Sequence, residues 1–361
     1  MDTGKAIPLM SDVFSDILGH AHVKAGLLHA TRASKLHHAL LFTGPSGIGK
    51  AMLARAFVQA MFCEHAVPGD LVRCGTCRNC TRVAAGIHPD VLEIDEEYLR
   101  NAYETASNKN PSVATIKIEV IRELQKTLMC RPFESPRRFV IIHDVHKMQD
   151  AAANCFLKTL EEPPENTSFI LLTSQIQGLI STIISRCQVV RFAPFSMDEV
   201  SAFLVSHGEK PEIAEQIAAL SDGSFGTAMK LAAGDYKDEI LDVFSLVLDT
   251  GSVMEAFGTA GRIKDRMSKE SRDAKFALYG HLLKLLSLYV RDVAVLKSSP
   301  ESPVILRAYR DRMLRRLECT STKDLMRAAD NIQDVYGSIQ NNANELVALE
   351  RLVMGMHGVL F

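Results

Sequence analysis

Two periods alternate along the first 195 residues. Short apolar runs recur at residues 39–44, 90–95, 138–143, 168–173 and 188–193, each short enough for a buried strand. Between them, residues 21–36, 50–63, 116–130 and 150–161 carry apolar positions at helical spacing. Strands that alternate with helices in this way predict parallel βαβ units, and so a sheet covered by helices on both faces. After Pro194 the strand-like runs stop. Residues 198–233 read as helices broken at Gly208, Gly223 and Gly234, and the helical pattern then continues to the end with breaks near Gly251 and Pro300. The divisions expected are an α/β domain over 1–194, a small helical domain over 195–236 and an all-α domain over 237–361.

Composition narrows the classes. Lys plus Arg is 41 and Asp plus Glu is 43, a formal net charge of −2, so no chain-wide basic field is available to hold nucleic acid by charge alone. Trp is absent and aromatics make up 6%, which disfavours a stacking platform for single strands. No run approaches the roughly 18 apolar residues of a membrane span, and residues 1–12 lack the apolar stretch of a signal peptide. A cytoplasmic protein is therefore expected. In that compartment eight cysteines do not imply a disulfide framework.

The residues after the first strand run Gly44-Pro45-Ser46-Gly47-Ile48-Gly49-Lys50, with a helical pattern beginning at Lys50. This is phosphate-loop spacing in strand–loop–helix context: Gly44, Gly47 and Gly49 let backbone N–H groups close on phosphate oxygens, and Lys50 reaches the outer phosphates. The next position should carry a hydroxyl for Mg²⁺, and it is Ala51. A second departure follows at residues 139–142, a strand that should end in an acidic pair. It ends in His143-Asp144-Val145. If the pair is 143–144, an imidazole replaces the metal carboxylate; if Asp144 is the metal carboxylate, Val145 occupies the place of the base. Either register loses one function.

Half of the cysteines fall between residues 63 and 80, as Cys63, then Cys74, Cys77 and Cys80 in two successive C-x-x-C steps. Four thiolates close a tetrahedral site, so the spacing predicts structural Zn²⁺ in an insertion spanning 63–80. An iron–sulfur cluster fits the spacing less well. His65 and His88 are spare ligands with no advantage over a thiol. Glu161 and Glu162, ahead of Pro163, read as a helix end rather than a carboxylate dyad, since neighbours on a helix point apart.

The loop, the four-cysteine insertion, the stretch from Asn154 to Ser174 containing Leu157-Lys158-Thr159-Leu160-Glu161-Glu162-Pro163-Pro164, and Ser185-Arg186-Cys187 together resemble the AAA+ clamp-loader family. The resemblance implies an α/β P-loop parallel-sheet domain with a zinc module, a small helical lid and an all-α C-terminal collar. It implies a five-membered ring with gamma/tau and delta subunits that places a sliding clamp on primer-template DNA. It also implies that Arg186 reaches into a neighbour's ATP site as an arginine finger, and that Thr173 stands at the nucleotide-sensing position. Bacterial members with this zinc module include gamma/tau-type ATPases and a subunit whose own nucleotide site is degenerate. Ala51, His143 and Gly226, where an ATPase of the family carries an Arg, resemble the second kind, as does the tail from Asn341 to Glu350. The competing expectation is a gamma/tau-type ATPase. Whether the loop still holds ATP or ADP is left open by these residues. The arginines at 307, 310, 312, 315 and 316 fit a collar contact better than DNA phosphate.

Overall fold

Strands β2 (Ala39–Thr43), β5 (Arg138–Ile142) and β6 (Thr167–Thr173) are buried along their whole length. In the computed structural model they form, with β4 (Val91–Ile94) and β7 (Gln188–Arg191), a five-stranded sheet in the order β4-β5-β6-β2-β7. Every pairing in it is parallel, with Leu41 beside Leu171 and Val189, and Val140 beside Leu92 and Phe169. Continuous apolar strands are what a parallel sheet with both faces covered requires. The structure describes residues 11–12, 14, 17–66, 70–104, 115–233, 235–267, 272–340, 344–356 and 358–359. Residues 1–10, Gly234 and Asn341 to Ala343, which entered the sequence reading, lie outside these.

Alternate residues of each strand enter opposite cores. Leu40, Phe42, Phe139 and Ile170 meet α1 (Ala21–Arg32) and α2 (Lys50–Phe62) through Val23, Leu27, Leu53 and Phe57. Leu41, Val140, Phe169 and Leu171 meet α5 (Ile118–Leu128) and α6 (Asp150–Glu161) through Ile121, Leu124, Phe156 and Leu160. Five strands and α-helices among the described residues were not expected from the sequence, the last of them α3 below. A two-residue antiparallel pair joins β1 (Ser11–Asp12) to β3 (Val72–Arg73), α4 (Glu96–Glu104) follows β4, and a single turn, α7 (Ser181–Ile184), precedes Arg186. Helix α3 (Arg78–Ala84) carries the last cysteine of the insertion.

The loop between α5 and β5 is fixed by a buried carboxylate. Asp90 has no solvent exposure and accepts the backbone N–H groups of Phe133, Glu134 and Ser135. Burial alone would raise its pKa, but these three donors outweigh burial and hold it below the ordinary carboxylate value.

Residues 1–195 and 196–361 form two compact units. Among its described residues the second is helical throughout: α8 (Met197–Ser206), α9 (Pro211–Leu220), α10 (Phe225–Ala232), α11 (Asp235–Leu248), α12 (Val253–Met267), α13 (Arg272–Ser298), α14 (Arg310–Arg316), α15 (Thr322–Gln340) and α16 (Glu345–Gly355). Its core includes Phe244 and Tyr289, whose rings meet edge to face at 6.3 Å. Within this unit three of the five clustered arginines are already engaged. Arg307 pairs with Glu215 at 3.0 Å, Arg312 with Asp249 at 2.7 Å, and Arg310 donates to the Ser302 carbonyl at 2.7 Å. Gly226 lies in the first turn of α10, which Ser224 caps by accepting from the Thr227 N–H at 3.1 Å.

Candidate functional site

The loop from Gly44 to Gly49 leaves the C-terminal end of β2, the strand between β6 and β7, and turns into α2. This is the crevice position at which open parallel sheets bind ligands. Gly44 is required by close approach, since a Cβ there would lie 2.5 Å from the Phe192 carbonyl oxygen. Gly49 caps α2 with φ of 104°, and Gly47 turns the loop at φ of 69°. Lys50 opens α2 and is buried. Its Nζ donates to the Gly44 and Pro45 carbonyls at 2.6 and 2.7 Å, so the ammonium is satisfied by its own loop.

Burial lowers the Lys50 pKa from 10.5 to about 8, with Asp144 acting weakly in the opposite sense. Because the folded value is the lower one, the unfolded chain binds more protons between about pH 8 and 10.5, and this residue's contribution to stability rises with pH across that window. In the Cε-labelled protein one lysine resonance should titrate near pH 8 and vanish in Lys50→Arg. Titration of every lysine above pH 10 would contradict this geometry.

The strand end expected to carry the acidic pair is wired differently. The His143 imidazole Nε2 lies 2.6 Å from Glu93 Oε1, a partner on β4. Arg55, from α2, donates from Nε to both Glu93 oxygens at 3.0 Å, and its Nη2 lies 2.7 Å from Oε1. Burial would raise the Glu93 carboxyl; the hydrogen bonds from His143 and Arg55 outweigh it and hold the group ionised. Asp144 follows in the left-handed region at φ of 46°, half exposed and paired with Lys147 at 2.8 Å. Thr173 ends β6 without solvent exposure. Its hydroxyl meets His146 Nδ1 at 3.2 Å and exchanges hydrogen bonds with Gln175 at 3.1 Å. Burial lowers the pKa of His146. Magnesium demands hard oxygen ligands. Position 51 supplies a methyl group and His143 is committed to Glu93, so neither offers Mg²⁺ an oxygen, while Asp144 keeps a half-exposed carboxylate beside them.

Cys63, Cys74, Cys77 and Cys80 come together, with their sulfurs all within 4.8 Å of one another. Cys63 caps the C-terminal end of α2 and Cys77 the N-terminal end of α3. The N–H groups of Cys77 and Cys80 donate to the sulfurs of Cys74 and Cys77 at 3.2 and 3.4 Å. Burial would raise Cys74, but backbone N–H groups of Thr76 and Cys77 outweigh it and bring the thiol down to about 5, while burial drives Cys80 up. Four buried thiols at this separation fit tetrahedral Zn²⁺. His88 instead stacks on Phe62, with ring centroids 4.8 Å apart. Of the others, Cys130 and Cys319 are exposed, and burial pushes the Cys187 thiol to about 12.

Arg186 lies in the short link between α7 and β7, flanked by Ser185 and Cys187. Its Nη1 donates to the Thr182 carbonyl at 2.9 Å and its Nη2 pairs with the Glu161 carboxylate. Sequence reasoning missed Glu93, Arg55 and His146 as members of the loop's surroundings and Glu161 as the partner of Arg186. The one available signal was Glu93, a charge inside an otherwise apolar strand.

A parallel sheet in this order, with a glycine-rich loop and lysine at the end of a central strand, defines a P-loop-type α/β nucleotide-binding fold. A family model described as "DNA polymerase III, delta subunit" matches residues 19–196. The tau subunit of DNA polymerase III from Bacillus subtilis is 30% identical over 305 residues, which cover 80% of this chain and 51% of that protein. The delta' subunit of the same organism is 32% identical over 209 residues, covering 58% of each. The tau subunit of Escherichia coli is 29% identical over 235 residues, 62% of this chain and 33% of its own. The chain thus spans about half or less of the length of the tau and gamma relatives it matches. A solved gamma-subunit-related protein from Thermotoga maritima superposes with a TM-score of 0.41 at 18% identity, over 91% of this chain and 98% of that one, too low to bear on the site. Over residues 19–196 the chain matches the clamp-loader subunits of DNA polymerase III, the tau, gamma and delta' kinds among them.

Proposed function

We propose that the chain is a delta-prime-like member of the clamp loader: a ring subunit that hydrolyses no ATP itself and gives Arg186 in trans to a neighbouring gamma/tau-type ATPase. The observation that carries this reading is the state of the chain's own catalytic end. A methyl group stands at position 51, and the imidazole of His143 is tied to Glu93 and, through it, to Arg55. A gamma/tau-type ATPase needs a hydroxyl at the first position and an acidic pair at the strand end, and in either register of His143-Asp144-Val145 one function of that pair is lost. Gly44, Gly47, Gly49, Lys50 and Thr173 then form a vestigial nucleotide site, with Lys50 and Thr173 satisfied by protein atoms. On this reading residues 1–194 are the AAA+ domain, 195–236 the lid and 237–361 the collar that joins the ring.

Cys63, Cys74, Cys77 and Cys80 would hold a structural Zn²⁺ that ties α2 to α3 and leaves no open position for catalysis. The partners would be gamma/tau and delta subunits, with the sliding clamp and primer-template DNA reached through the complex, in the cytoplasm. No described helix is long and apolar enough to cross a membrane. Arg186 would meet charge developing on the terminal phosphate of an ATP held by its neighbour. The test is magnesium-dependent ATP hydrolysis by the full chain alone and in mixture with the other subunits. Background alone with stimulation in the mixture supports the reading; turnover by the chain alone supports the gamma/tau alternative.

A further inference from the structure

Glu161 is the last residue of α6, and the chain beyond it is stopped by Glu162, Pro163 and Pro164. A carboxylate at the C-terminal end of a helix opposes the helix dipole, so a cation nearby is favoured. The cation is Arg186, whose Nη2 pairs with Glu161 while Nη1 donates to the Thr182 carbonyl at 2.9 Å and approaches Ser185 Oγ at 3.5 Å. The backbone beneath is fixed as well. Arg186 N–H donates to the Ile183 carbonyl at 3.2 Å, Cys187 N–H donates to Ile184 at 3.2 Å, and Ile183 and Cys187 are packed in the core beneath the sheet. A guanidinium has five donors, and the Nε–H of Arg186 reaches none of the described residues. The group is therefore held on two sides with an edge left to meet an anion.

We propose that Glu161 is a positioning residue for Arg186, holding the guanidinium in the rotamer in which its remaining donors face the phosphate of a neighbouring subunit's ATP. The proposal rests on the reading of Arg186 as a group given in trans. A flexible arginine must give up its rotamer freedom to act, and a side chain already fixed by a carboxylate has less to give up. An exposed pair of this kind adds little to folding stability, so a purely structural role would leave catalysis untouched.

The test uses the reconstituted complex of full-length subunits, with steady-state ATP hydrolysis and the melting temperature of this chain as readouts. Glu161→Ala should lower kcat about threefold to tenfold while leaving KM for ATP and the melting temperature unchanged. Glu161→Gln, which keeps an acceptor in place, should recover much of that loss. Adding Glu161→Ala to Arg186→Ala should cost nothing further, because Glu161 acts only through Arg186. A wild-type or raised kcat in Glu161→Ala, where Arg186→Ala is crippled, overturns the positioning role. Full activity in Arg186→Ala overturns the reading beneath it, and the proposal falls with that reading.

Discussion

Arg186→Ala, assembled with its partner subunits, should abolish most ATP turnover at the neighbouring site while leaving this chain folded. An arginine supplied across a boundary stabilises charge that develops only in the transition state, and such groups are worth about 10³-fold or more in rate. The substitution removes an exposed ion pair, since Arg186 and Glu161 are both partly solvated, so the melting temperature should move by no more than about 1–2 °C. Arg186→Lys should fail to restore the rate, because a point charge on a flexible stem cannot reproduce two directed donors. Loss of hydrolysis without loss of assembly, followed by sedimentation of the mixture, is the expected pair of results. Unchanged hydrolysis would remove the proposed role.

The second large effect concerns stability. The four cysteines join the C-terminal end of α2 to the N-terminal end of α3, reinforced by Gln59 Nε2 donating to the Cys80 carbonyl at 2.9 Å and Asn79 Nδ2 donating to Phe62 at 3.0 Å. Helix α2 also presents Lys50 and carries Leu53 and Phe57 into the core. If these thiols hold zinc as proposed, removing it, or one of the cysteines, loosens the helix that the phosphate loop rests on. Cys77→Ala or exhaustive chelation should lower the melting temperature of the first unit by about 10 °C, and Cys130→Ala, at an exposed position, by no more than about 1–2 °C. Metal analysis should return one zinc per chain. Equal effects of the two substitutions would contradict a zinc-held insertion.

The parts of this fold that were legible in the sequence are those governed by local pattern. Residues 138–143 and 168–173 read as strands because four successive apolar residues stand at the centre of each, and β5 and β6 lie there within a residue at each end. The helix over 150–161 was legible at its C-terminal end because Pro163 cannot continue it. The glycines of the loop were legible because spacing alone requires them. What escaped was short or depended on distant partners. Helix α4 has an apolar face of Tyr98, Leu99, Ala102 and Tyr103 but is only nine residues long, and α7 is a single turn, so neither fills the window over which a period is read. Glu161 was read as a helix end, which it is, but its pairing with a residue 25 positions on belongs to the tertiary structure. The sequence shows His143 only as a break in the acidic pair; that it binds Glu93 and so meets Arg55 depends on β4, β5 and α2 lying side by side.

The near-neutral charge of the chain fits a protein that acts through neighbours rather than through a basic surface of its own. On the proposed reading it contributes a group to another subunit's site and has no working site itself. Steady-state magnesium-dependent ATP hydrolysis by the full chain, alone and with gamma/tau- and delta-type subunits, tests this most directly. A rate at background is expected for the chain alone, with a rise in turnover when it joins the others. Turnover by the chain alone, abolished by Lys50→Ala, would contradict it.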